Sequence, residues 1–166
     1  DKSVLPRSTL TELFFTAVDG NLSRVAFERM VSEADLHSLS YTEVLSEVQK
    51  VSSALRSNGI ARGDRVAILS ENRTEWALAD YGCLCTGVID VPIYPTLTAS
   101  QVAYVLRDSG SKLVFASSFE QMTKVLEAAI ECPQEIQIVV FDSLPEVPHG
   151  VCTWEEFLES GGPGFS

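Results

Sequence analysis

Apolar residues recur along this chain in two rhythms. One is the three-and-four step of an amphipathic helix; the other is a short unbroken run of β-branched and aliphatic residues. Thr9–Val18 (TLTELFFTAV) shows the first. Thr9 and Glu12 have capping-box spacing, and Leu10, Leu13, Phe14, Ala17 and Val18 share a face, so a short helix ending at Gly20 is expected. Val25–Met30 alternates weakly and Leu36–Tyr41 follows an acidic loop, which predicts an antiparallel hairpin. Ser40 and Glu43 cap the next helix. Val44, Val48, Val51 and Leu55 form its apolar stripe, Glu43, Glu47 and Lys50 face outward, and Asn58-Gly59 ends it.

The stretch Gly63–Thr96 is a complete strand–helix–strand unit. Arg65–Ser70 (RVAILS) reads as a strand buried on both faces. Asn72, with Glu75 three residues on, is expected to cap a helix over Arg73–Thr86 that stops at Gly87. Val88–Tyr94 is the second strand, closed by Pro95. Its partner should run parallel, with a right-handed crossover. The pattern then repeats. Thr98 and Gln101 cap a helix with Val102, Val105 and Leu106 inward and Gly110 at its end, and Lys112–Ala116 is a third strand. Ser118 and Gln121 open a helix carrying Met122, Val125, Leu126, Ala129 and Ile130, stopped by Pro133. Ile136–Phe141 is a fourth strand. Leu144–Val151, with two prolines, reads as a surface loop, Thr153 and Glu156 cap a last helix to Ser160, and Gly161–Gly164 reads as a flexible stop. The fold class expected is α/β: a mostly parallel, doubly wound sheet with helices on both faces, preceded by a helix and a hairpin.

At 166 residues the chain is long enough to bury a core without staples. The boundaries expected within a single domain are a helix and lead-in to residue 24, the hairpin over 25–41, β/α units over 42–160 and a tail. A net charge of −11 argues against a general nucleic-acid or anionic-membrane surface, because phosphate binding needs local Lys and Arg. Cys83, Cys85, Cys132 and Cys152 fit no zinc spacing and point to a reduced, cytoplasmic chain. The start of the chain lacks the apolar core of a secretory signal. The longest apolar stretch, Trp76–Tyr94, is broken by Asp80, Asp90 and Pro92, so no membrane span is expected.

The spelling G-D-R-V-A-I-L-S-E-N, then E-W, a small-residue helix ending in G-V, and V-P-I-Y-P-T resembles the N-terminal part of the adenylate-forming, AMP-binding acyl-CoA synthetase superfamily. E-W-x-x-x-D-Y and V-P-I-Y-P-T are most similar to long-chain fatty acid–CoA ligases, and the likeness extends from about Leu10 to Gly161. The superfamily's Ser/Thr/Gly-rich phosphate loop ending in Pro-Lys-Gly does not occur in these residues. The resemblance implies the incomplete N-terminal subdomain of an enzyme that joins a fatty acid to coenzyme A. In such enzymes the acid attacks ATP to form an acyl-adenylate, the thiol displaces AMP, and Mg2+ neutralises the phosphates. It further implies that this piece alone is inactive, binds none of these ligands alone and self-associates through an exposed apolar face. The whole enzyme would be cytoplasmic, with a peripheral membrane association. Another adenylate-forming enzyme (an aryl-acid ligase, a luciferase-like oxidase or a peptide-synthetase adenylation domain) shares the pattern. A non-catalytic flavodoxin-like binding module stays open as well.

Parallel sheets place ligands beyond the carboxyl ends of their strands, which selects the loops Ser70–Arg73, Tyr94–Thr98, Ala116–Phe119 and Phe141–Leu144. None has the glycine spacing of a dinucleotide loop or a P-loop. The resemblance implies that Tyr94, Pro95 and Thr96 line the channel for the pantetheine arm of coenzyme A; the plainer reading is that Pro92 and Pro95 end a strand. Where a relative uses arginines for the coenzyme's phosphates, Lys124 is the only cation. Ser70–Arg73 reads either as a polar anion site at a helix N-terminus or as a cap at Asn72 followed by a solvated Arg73. His37 and His149 lack triad partners, Glu155-Glu156 reads as a charged helix face, and no catalytic constellation or metal site is expected.

Overall fold

Four helices start where a side chain three residues inside the helix reaches back to its cap. Thr9, Thr98 and Thr153 each accept a hydrogen bond from the amide of Glu12, Gln101 and Glu156, and each of those side chains accepts from the cap's own amide. Ser40 and Glu43 make the same reciprocal pair at 3.3 and 2.8 Å. Each box satisfies two amides that the helix leaves free, worth on the order of 1 kcal/mol apiece. The computed structural model describes residues 9–32 and 35–162. The elements are α1 (Leu10–Asp19), β1 (Val25–Ser32), β2 (Asp35–Ser40), α2 (Tyr41–Ser57), β3 (Arg65–Leu69), α3 (Thr74–Thr86), β4 (Ile89–Ile93), α4 (Ala99–Ser109), β5 (Leu113–Ala116), α5 (Phe119–Ala129), β6 (Gln137–Val140), β7 (Val151–Thr153) and α6 (Trp154–Ser160).

The chain forms two compact units, divided between Ser46 and Glu47. In the first, β1 and β2 pair antiparallel as the expected hairpin. The acidic loop between them and the His37 side chain lie outside the described residues. In α1 only Phe14 and Val18 of the expected apolar face are buried; Leu10 and Leu13 are exposed.

The second unit is a five-stranded sheet of order β4-β3-β5-β6-β7, parallel throughout. Successive side chains of a strand point to opposite faces, so each inner strand feeds two cores. Ala67, Leu69, Val114, Ala116, Ile138 and Val140 pack against Val102, Ala103 and Leu106 of α4 and Met122, Val125 and Ala128 of α5. Phe115 points the other way. Its ring meets Trp154 and Phe157 of α6 edge-on and stacks on Phe141. On that side the backbone of α3 comes up against α2: a Cβ on Gly82 would overlap the Val51 side chain, and Ser52 Oγ donates to the Gly82 carbonyl at 3.3 Å. The doubly wound α/β expectation therefore holds for this unit.

Three details differ from the sequence reading. The α3 cap is Arg73, in extended conformation with no side-chain cap bond, so Asn72 does not cap and the helix starts one residue later. Ile130 follows the last turn of α5 and is 86% exposed. The expected loop at Leu144–Val151 leads into β7, a fifth parallel strand of three residues, too short to show a period. The strand β4, expected over Val88–Tyr94, lies at the edge of the sheet and is only partly buried. An edge tolerates the missing amide of Pro92. Gly87 ends α3 at φ 72°, as expected of a residue without Cβ. Residues beyond Gly162 lie outside the described part. No described helix is long and apolar enough to cross a membrane.

Candidate functional site

The strand order reverses direction at β3: the chain moves outward to β4, then returns to lay β5 on the other side. Such a reversal opens a crevice at the carboxyl ends of β3 and β5, the usual ligand position in an open α/β sheet. Here polar side chains bridge it. Ser117 Oγ donates to one oxygen of Glu71 at 2.5 Å, and Gln121 Nε2 to the other at 3.4 Å. Arg73 donates to the Ser117 carbonyl at 3.1 Å, to Asp142 at 2.8 Å and to Glu75 at 2.7 Å, with its guanidinium over the Phe141 ring. These bonds link three of the four loops picked from the sequence.

Its electrostatics are settled internally. The Ser117 hydroxyl holds the Glu71 carboxyl below its ordinary range, against the opposing effect of burial. Burial works against the charge on Arg73, but hydrogen bonds and attraction from Glu75 and Asp142 outweigh it and keep the guanidinium charged. Arg73 is thus neither solvated nor free for an anion, which overturns both sequence readings of it.

The opening lies one strand over. A cavity of about 730 Å³ sits at the carboxyl ends of β3 and β4, with Ser70, Glu71, Asn72 and Trp76 on one side and Pro92, Ile93, Tyr94 and Pro95 on the other. Tyr94 projects into solvent at 78% exposure. The walls are mostly ring and aliphatic surface, with a hydroxyl and a carboxamide at one end. Glu71 is the one charged residue among them, and it is held as an anion. A slender, uncharged chain with amide groups suits these walls; a phosphate does not.

The structure brings Tyr94 and Pro95 into this cavity and leaves the exposed Thr96 outside its lining. Lys124 is elsewhere occupied: its ammonium donates to the Pro95 carbonyl at 2.7 Å and to Gln121 Oε1 at 2.9 Å. Trp76, Ser117, Gln121 and Asp142 were not among the site residues expected from sequence. Trp76 carried a signal, a large aromatic in the first turn after a strand-end loop; the other three meet their partners only through the fold. His149 is exposed, the four cysteines are free, and the described residues hold no cluster of three or more His, Cys, Asp or Glu able to bind a metal.

Residues 14–162 match the family described as AMP-binding enzyme. A long-chain-fatty-acid–CoA ligase, FadD15 of Mycobacterium bovis, is 38% identical over 91 residues, covering 55% of this chain and 15% of its own length. A 4-hydroxybenzoate–CoA/benzoate–CoA ligase of Rhodopseudomonas palustris is 32% identical over 108 residues, covering 65% and 20%. The crystal structure of a benzoate CoA ligase from Burkholderia xenovorans LB400 superposes with a TM-score of 0.77 at 22% identity, over 95% of this chain and 29% of that one. The match therefore spans only 15% to 20% of the length of these curated relatives.

Proposed function

The chain belongs to the AMP-binding enzyme family, and from that membership we propose that it is the N-terminal part of a longer acid–thiol ligase acting on a long-chain fatty acid. The match over residues 14–162 carries this reading, and the 38% identity to a long-chain ligase supports the substrate class. In the proposed reaction the fatty acid's carboxylate attacks the α-phosphate of ATP, releasing diphosphate and leaving an acyl-adenylate. The thiol sulfur of coenzyme A then attacks the acyl carbon, and AMP leaves with the C–O bond electrons. Mg2+ would offset the charge of the ATP phosphates; the described residues hold no group of three or more His, Cys, Asp or Glu that could bind it.

This part's share is the wall of a channel. In the proposal Trp76, Tyr94 and Pro95 receive the pantetheine arm, its apolar segments on the rings and its amides toward Ser70 and Asn72. The ionised Glu71 keeps phosphates at the outer end. Free thiols on all four cysteines suit the cytoplasm, where the proposal places the enzyme.

The benzoate-acting relative supports a second reading, an aryl-acid ligase. A panel of acids with the whole protein, ATP and coenzyme A, followed by AMP release, separates the two. The proposal expects turnover with C16–C18 fatty acids at least tenfold above benzoate; the reverse order would establish the aryl-acid reading.

A further inference from the structure

The two loops that wall the cavity are both tied to one short segment of α5. Glu71 belongs to the β3–α3 loop and Pro95 to the β4–α4 loop. Between them run Gln121 and Lys124, one turn apart at the start of α5. Gln121 Nε2 donates to Glu71 Oε1 at 3.4 Å, Gln121 Oε1 accepts from Lys124 Nζ at 2.9 Å, and Lys124 Nζ donates to the Pro95 carbonyl at 2.7 Å.

The chemistry of this chain of bonds is directional. An ammonium only donates and an ionised carboxylate only accepts, so the group between them needs one acceptor facing the first and one donor facing the second. A carboxamide has both. Lys124 fixes the amide's orientation, Glu71 agrees with it, and Ser117 fixes Glu71 from its other oxygen. Gln121 is 4% exposed, so a bond left unmet at its carboxamide is costly.

Resting on the reading of this cavity as the channel for the thiol's arm, we propose that Gln121 and Lys124 are positioning residues that hold its two walls at their working separation. Lys124 acts through the Pro95 carbonyl and does not contact a phosphate of the coenzyme. Lys124 thus stays with the channel, as a support of its wall.

The test uses the whole protein, with coenzyme A and with pantetheine, which carries the thiol arm but no phosphate. Lys124→Met should raise the KM for both thiols about tenfold with kcat changed less than threefold, and Lys124→Arg should restore most of the loss. Gln121→Leu, which leaves the charge untouched, should reproduce the Met variant, and it carries the test if Lys124→Met does not fold. A KM effect with coenzyme A that vanishes with pantetheine would overturn the proposal in favour of phosphate contact. Unchanged KM values in both variants would overturn it outright. A parent protein that makes no thioester from either thiol would overturn the channel reading, and this inference with it.

Discussion

Asp80, half-buried on α3, shares a hydrogen bond with Asp90 of the neighbouring β4. Burial, then the charge and hydrogen bond of Asp90, push its pKa up from 3.8 to about 6. The folded chain therefore holds this proton more tightly than the unfolded one. Its stabilising contribution is present below about pH 4 and is lost as pH rises through 6. The full shift corresponds to about 3 kcal/mol, and solvent screening at a half-exposed site cuts that to about 1 kcal/mol. Asp80→Asn should thus raise the unfolding free energy by about 1 kcal/mol at pH 7 and leave it unchanged at pH 4, as read by urea denaturation at the two pH values. An equal gain at both would show that the gain does not come from the ionisation of Asp80. Arg73 shows the opposite arrangement: its partners outweigh the cost of burial, so its charge is structural.

At the scale of elements, α3 can lie close to α2 only because Gly82 has no side chain. Its would-be Cβ meets Val51, a buried residue with little room to yield. Gly82→Ala should destabilise the chain by about 2 kcal/mol, and adding Val51→Ala should recover part of the loss because the truncated residue vacates the clashing volume. Strictly additive losses in that double-mutant cycle would mean the helices do not meet there. Helix starts were the most readable elements because a capping box is local: cap and partner are three residues apart, as at Thr98 and Gln101. Asn72 misled for the same reason. Its spacing to Glu75 is that of a box, but Arg73 claims Glu75 and bonds onward to Asp142, 69 residues away, and no local pattern shows that. β7 escaped notice because three residues after a proline-rich turn show neither alternation nor a run.

At the scale of the molecule, the parallel sheet was legible because strands buried on both faces are written as unbroken aliphatic runs, such as Val66–Leu69 and Leu113–Ala116, separated by capped helices. The carboxyl-end loops followed from that topology, so Tyr94 and Pro95 were reachable from sequence alone. The Glu71–Gln121–Lys124–Pro95 chain of bonds was not, since it depends on loops joined across 29 and 50 residues. The proposal that these residues belong to a longer ligase also accounts for the large apolar side chains left in solvent, Ile89, Tyr94, Tyr104 and Phe119 among them. The isolated chain is expected to self-associate through such surface, and light scattering showing a monomer at high concentration would contradict this.

The central claim is that this fold scaffolds a ligase whose phosphate-handling parts lie elsewhere in the protein. Turnover of ATP, a C16 fatty acid and coenzyme A, measured as acyl-CoA and AMP for the whole protein and for the 166-residue chain side by side, tests it most directly. The account predicts stoichiometric acyl-CoA and AMP from the whole protein and none from the isolated chain. Product from the isolated chain, or no AMP release from the whole protein with any acid, would contradict it.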